Sequence, residues 1–161
     1  MQFQQLNRSD AEKVYAAIYN VSGGTLSAGA AAYFIVVSGD GISVSNAGTV
    51  RKWAFAGIVK DALSDSSYGR AQVYGACSAY MVLDDTAISA TPGAQLVAVN
   101  SQTYLKNASS ADLFTFVAAS SATFTWSGGD PFNYVTLMDT YASAASANST
   151  AALKAVFVRA M

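Results

Sequence analysis

Ala30-Ala31-Ala32-Tyr33-Phe34-Ile35-Val36-Val37 is followed by Ser38-Gly39-Asp40-Gly41 and then by Ile42-Ser43-Val44-Ser45. Two runs of apolar, β-branched and aromatic residues flank a turn of glycine and aspartate. Such runs fit a pleated, half-buried surface. Glycine supplies the positive φ that a tight hairpin turn needs, and aspartate bonds the backbone two or three residues on. The stretch therefore predicts two antiparallel strands. Outward from it the pattern repeats. After Gly23-Gly24 come short apolar runs at Trp53–Val59, Ala71–Tyr74, Ala79–Leu83, Gln95–Val99, Thr103–Leu105, Leu113–Ala118, Thr123–Trp126 and Leu153–Arg159. Gly, Ser, Asp and Asn punctuate them at intervals of roughly 8–12 residues, the spacing of a sandwich or barrel. No long helical patterns alternate with the runs, which argues against a parallel α/β sheet. The fold class predicted is mainly β, a small β-barrel or β-sandwich over residues 23–161, led by an arm or short helix over residues 1–22.

Two segments fit more than one pattern. Ser9-Asp10-Ala11-Glu12 is a capping box, and Val14, Tyr15, Ile18 and Tyr19 follow at helical spacing, so a short helix over roughly 10–19 is expected. The alternative is an extended lead-in strand. In Phe132–Ser146, Asp130-Pro131 would start a helix. Tyr134–Met138 is also β-branched and aromatic enough for a strand that turns back onto Leu153–Arg159, and that reading is preferred. A faint internal echo joins Leu26-Ser27-Ala28-Gly29-Ala30 to Ile88-Ser89-Ala90-Thr91-Pro92-Gly93-Ala94: a small-residue turn with glycine leads into an apolar run in each.

Composition narrows the chemistry. Among 161 residues there is no histidine and one cysteine, and nine Lys/Arg balance ten Asp/Glu. Catalysis by a histidine acid or base is excluded by residue supply, as is a Ser-His-Asp triad, and a zinc site of the usual kind has no ligands. No basic stripe marks a nucleic-acid partner. No stretch of 18 apolar residues marks a membrane span. Met1-Gln2-Phe3-Gln4-Gln5 does not fit a leader-peptide pattern and Cys77 has no second cysteine to pair with, so a reducing cytoplasm is the expected place of folding. Ala and Ser supply 51 residues and Leu, Ile, Val and Phe 37. The larger apolar types suffice for a modest core, and the small ones permit close backbone approach at low side-chain entropy cost.

Individual motifs have plain readings. Asp84-Asp85 fits a turn, and Cys77 a small buried apolar side chain. Asn20-Val21-Ser22, Asn107-Ala108-Ser109 and Asn148-Ser149-Thr150 match the glycosylation pattern by chance in a Ser-rich chain. Arg51-Lys52-Trp53 and Tyr68-Gly69-Arg70 set cations beside aromatics. Arg, Tyr and Trp dominate protein–protein hot spots, so Arg51, Trp53, Tyr68 and Arg70 are candidate subunit contacts.

Trp53-Ala54-Phe55-Ala56-Gly57-Ile58-Val59 runs through Lys60–Ser67 into Tyr68-Gly69-Arg70-Ala71-Gln72-Val73-Tyr74-Gly75. With Tyr19–Gly29, Asp130–Met138 and Lys154–Met161, it resembles the small capsid decoration, or cement, proteins of tailed bacteriophages. The resemblance covers roughly residues 15–105 and 128–161. It implies a β-barrel or sandwich on the capsid exterior, made in the host bacterial cytoplasm, with the major capsid protein and further copies of itself, as a homotrimer, for partners. It implies no catalytic residue, cofactor or metal, and neither nucleic acid nor membrane as partner. Phe3, Leu6 and Arg8 would then anchor an N-terminal arm on the shell. The alternative is a head-fibre base or carbohydrate-binding module, with Trp126, Tyr104 and Tyr141 lining a sugar site.

Overall fold

The computed structural model describes residues 12–35, 38–46, 54–83, 89–99, 102–107, 115–118, 124–127, 135–138, 141–142 and 151–159. These residues are mainly β. The strands are β1 (Val14–Asn20), β2 (Ala31–Phe34), β3 (Ser43–Ser45), β4 (Phe55–Val59), β5 (Tyr68–Val82), β6 (Ser89–Ala90), β7 (Gln95–Ala98), β8 (Leu105–Asn107), β9 (Thr115–Ala118), β10 (Phe124–Ser127), β11 (Val135–Leu137), β12 (Tyr141–Ala142) and β13 (Ala152–Arg159). β9 and β10 form a separate antiparallel pair.

The hairpin around Gly39-Asp40-Gly41 forms as its residues dictate, with Tyr33 opposite Ser45 and Phe34 opposite Val44. Gly39 and Gly41 both have positive φ, 65° and 70°. The Asp40 carboxylate staples the turn. It accepts hydrogen bonds from the N–H groups of Ile42 (3.0 Å) and Ser43 (2.9 Å) and from the hydroxyls of Ser38 and Ser43. These donors hold the carboxyl well below the usual carboxylate range. The strand preferred for 134–138 forms as β11, antiparallel to β13.

The helix expected over 10–19 does not form across Val14–Asn20, which is β1. Tyr15, Ile18 and Tyr19 satisfy a helical spacing, but Tyr15, Ala17 and Tyr19 also alternate at the period of a strand. Pairing with β5 along six register positions decides between the two. The runs Ala71–Tyr74 and Ala79–Leu83 are also not separate. Both belong to β5, whose small central residues Gly75, Ala76, Cys77 and Ser78 lie opposite Val158, Phe157, Val156 and Ala155 of β13.

The pairings close on themselves twice. In the first circuit β1 pairs with β3 in parallel; β3 then pairs with β2, β2 with β4, β4 with β5 and β5 back with β1, all antiparallel. In the second, β5 pairs with β8 in parallel; β8 then pairs with β7, β7 with β11, β11 with β13 and β13 back with β5, again antiparallel. The strands β1, β2, β3, β4, β5 thus correspond, in chain order and in sense, to β5, β7, β8, β11, β13. Details match as well. Each parallel pair uses the last two residues of its first strand: Tyr19 and Asn20 face Ser43 and Val44, and Met81 and Val82 face Leu105 and Lys106. Ser27–Ala30 and Thr91–Ala94 are the same type II turn, closed by Ala30 N–H to Ser27 O (3.1 Å) and Ala94 N–H to Thr91 O (3.0 Å), with Gly29 and Gly93 at φ 85° and 93°. Three residues before each turn glycine stands a bridged residue, Leu26 to Leu63 and Ala90 to Tyr141. The echo between residues 26–30 and 88–94 is the visible trace of this repeat.

Each circuit has its own core. Ile18, Leu26, Ala30, Ala32, Val44, Ala56, Val59, Leu63 and Ala71 pack within the first. The second gathers Met81, Leu83, Leu96, Leu105, Val135, Val156 and Val158, and is covered by Ala31, Tyr33, Phe55 and Ile58 from the first circuit's wall. β2 and β4 are therefore buried on both faces. Interior width shrinks with strand number, so a five-strand circuit has room for alanines on the inside of this wall while Tyr33 and Phe55 point outward from it. Their rings meet edge to face at 6.2 Å. Ala30, Ala32 and Ala56 are the alanines on the inside of this wall.

Candidate interaction surface

The outer face of the β1–β5 pair carries an exposed aromatic side chain, Tyr68. Register places Tyr19 opposite Tyr68, Ala17 opposite Arg70 and Tyr15 opposite Gln72. The Tyr19 and Tyr68 rings are 4.7 Å apart, centroid to centroid, tilted by 42°. The Arg70 guanidinium lies over the Tyr15 ring, 5.5 Å from its centre, and donates to Asp61 Oδ2 at 3.1 Å. Diagonal and direct cross-strand neighbours at these distances interact. The ion pair is exposed on both sides, so it orients Arg70 more than it stabilises the fold, at ~0–1 kcal/mol. Tyr68 is 73% exposed, so its ring serves no core.

A buried clasp fixes where this face begins. The Asn20 side chain is fully enclosed; its amide donates to Gly24 O (2.8 Å) and Leu63 O (3.0 Å), and its Oδ1 accepts from Ser22 N–H (2.9 Å). Asn20 N–H donates to Ser67 O and Ser66 N–H to Asn20 O, at 2.9 and 2.8 Å. Asp65 Oδ1 accepts from Gly23 N–H at 2.8 Å. Ser66 takes φ 55° to make the turn. The segments Tyr19–Gly29 and Lys60–Gly75, far apart in sequence, are thus bound together at the start of β5. Both amide protons of Asn20 are thus committed inside the folded chain.

Of the candidate contacts, Tyr68 and Arg70 are brought together on this face. Phe3, Leu6, Arg8, Arg51 and Trp53 lie outside the described residues, as do Asp84 and Asp85. Tyr15, Tyr19 and Asp61 complete the face and were missed in the sequence. The signal for the first two was the period-2 spacing Tyr15-x-Ala17-x-Tyr19. For Asp61 no local signal exists. Trp126 and Tyr141 fall in β10 and β12, and Tyr104 stands just before β8, so the three belong to different pairings.

Cys77 is half-buried and packs against the second core. Burial pushes its thiol up to about 11, against the smaller opposing pull of the Lys13 and Lys60 charges. Among the described residues no group of three or more His, Cys, Asp or Glu side chains is placed to hold a metal ion. No helix there is long and apolar enough to cross a membrane. Compared with known proteins, the chain matches no family model and no curated protein.

Proposed function

We propose that the chain is a virion structural subunit that decorates a tailed-phage capsid, docking on the major capsid protein through the Tyr15–Tyr19–Tyr68–Arg70 face. The observation that carries the reading is that face. It is an outward cluster of tyrosines and one oriented arginine, held rigid by two paired strands and by the Asn20 clasp. These are the residue types that concentrate binding energy at protein interfaces. Rigid aromatic groups lose little entropy on docking. The likeness of residues 53–75 and 130–161 to capsid decoration proteins supplies the partner. Many copies on a lattice add by avidity, so a weak single contact suffices, and binding only the assembled shell stabilises that shell by mass action. In this reading the subunits are homotrimers, and the chemistry is assembly, with no catalytic step.

The test is co-sedimentation of the full chain with expanded shells of the phage that encodes it. The unaltered chain is expected to pellet with the shells. Tyr68→Ala with Arg70→Ala removes two contacts of hot-spot type, ~2 kcal/mol or more each, and is expected to lower retention at least tenfold with the urea midpoint unchanged. An unaltered chain that stays in the supernatant, or a double variant that pellets equally well, overturns the proposal.

A further inference from the structure

The two circuits meet along β5, and at their junction its ladder is interrupted. β4 pairs with β5 at Ala71 and Gln72. The turn at Gly29 next touches the strand through Tyr80 N–H to Gly29 O, 2.9 Å. Between these points no described strand lies alongside on that edge. The carbonyls of Tyr74 and Ala76 are satisfied instead by the Gln72 side-chain amide, at 3.1 Å each. Gln72 is itself 2% exposed, a buried amide that takes the place of a missing strand. A cleft of about 270 Å³ opens at this gap. Ile58, Val59 and Leu153 give it apolar walls, Cys77 lines it, and Lys13 and Lys60 stand at it. Among the described residues no carboxylate lines the cleft. Among the described residues neither lysine forms an ion pair, although Arg70 nearby has Asp61.

Lys13 and Lys60 line one concave site with no carboxylate among its described lining residues, and like charges so placed attract an anion. The size of the cleft says which kind. At ~30 Å³ per water molecule, an inorganic anion would leave most of it empty and would leave the apolar walls without a partner. An acidic side chain on an extended backbone would meet both features: carboxylate against the lysines, aliphatic stem and flanking residue against Val59 and Leu153. We propose that this cleft binds an acidic side chain presented by an extended segment of a partner protein. None of Tyr15, Tyr19, Asp61, Tyr68 and Arg70 lines the cleft, so loss of shell binding by the Tyr68 and Arg70 variants leaves this proposal standing.

The chain's single cysteine is a built-in reporter, since an occupant covers it. The full chain is titrated with acetyl-Val-Glu-Val-amide, with acetyl-Val-Gln-Val-amide and with inorganic phosphate. Alkylation of Cys77 by iodoacetamide and the backbone amide shifts of Ala76 and Ser78 are followed. The glutamate peptide is expected to slow alkylation saturably, at least fivefold, and to move both amides. Its apparent affinity is expected to fall at least tenfold in Lys13→Met/Lys60→Met, a surface change that leaves the urea midpoint in place. No saturable effect, an equal effect of the glutamine peptide, or an equal effect in the lysine variant overturns the proposal. Phosphate acting as well as the glutamate peptide overturns the assignment to a protein side chain.

Discussion

Gly57 offers a direct test of how tightly the first circuit is built. It sits in the middle of β4 at φ 134°, and a Cβ added there would lie 2.6 Å from the backbone oxygen of Gln72 and 3.2 Å from Ala71 Cβ. The obstructing oxygen belongs to β5 and cannot rotate aside, so Gly57→Ala has to push two paired strands apart. Two costs add. An L-residue in that backbone region costs ~1–3 kcal/mol, and forcing extra volume into a packed site costs a further ~1–3 kcal/mol. Gly93→Ala is the matched control. Gly93 has φ 93° but nothing within 4 Å of its added Cβ, so it meets the first cost alone. The small gain from a less flexible unfolded chain is common to both variants and cancels in the comparison. Gly57→Ala is therefore expected to be the less stable by ~1–3 kcal/mol. Urea unfolding followed by tryptophan fluorescence would read this as a lower midpoint at an unchanged slope. Equal midpoints for the two variants would refute the reasoning that close backbone approach, rather than φ alone, demands glycine at 57.

Two further outcomes can be measured on the same footing. Asn20→Ala removes three hydrogen bonds inside a fully enclosed site, those to Gly24 O and Leu63 O and the one accepted from Ser22 N–H; at about 1 kcal/mol each, with Ser22 N–H left without its acceptor, a loss of ~2–4 kcal/mol in stability is expected from urea unfolding, and a loss under 1 kcal/mol would count against the clasp. Asp40 is held below its unfolded value of about 4 by hydrogen bonds to its ionised form. Its contribution is present above that pH and is lost as pH falls from there through the lower folded value. Thermal melts at pH 7 and pH 3 should show Asp40→Asn less stable than the unaltered chain at pH 7, with the gap narrowing at pH 3; a gap that stays constant would deny the carboxylate that role.

Local chemistry wrote the hairpin plainly: Gly39-Asp40-Gly41 carries both positive φ angles and the stapling carboxylate within three residues. The strand at 135–137 and its return onto β13 were likewise legible, because β-branched residues favoured one of two periodic readings. β1 was not. Its apolar residues suit periods of 3.6 and 2 alike, and only the distant β5 settles the matter. The unity of β5 was hidden for a related reason. Gly75 through Ser78 look like a break, yet opposite β13 small residues leave room for the larger Phe157 and Val156. The two parallel pairings join ends brought together by long connections, which no short window of sequence contains. Of the interaction surface, Tyr68 and Arg70 were legible by residue type. Their neighbours Tyr15, Tyr19 and Asp61 reach them only through register and a loop.

β5 ends one copy of the repeat and begins the next, and the strand has no residue at which the copies come apart. In most tandem repeats a linker lets recombination add, drop or exchange a unit. Here a cut anywhere in Tyr68–Val82 would strip one circuit of its last strand or the other of its first, and expose backbone edges that seek new partners. Neither circuit can therefore be removed or exchanged without taking a strand from the other.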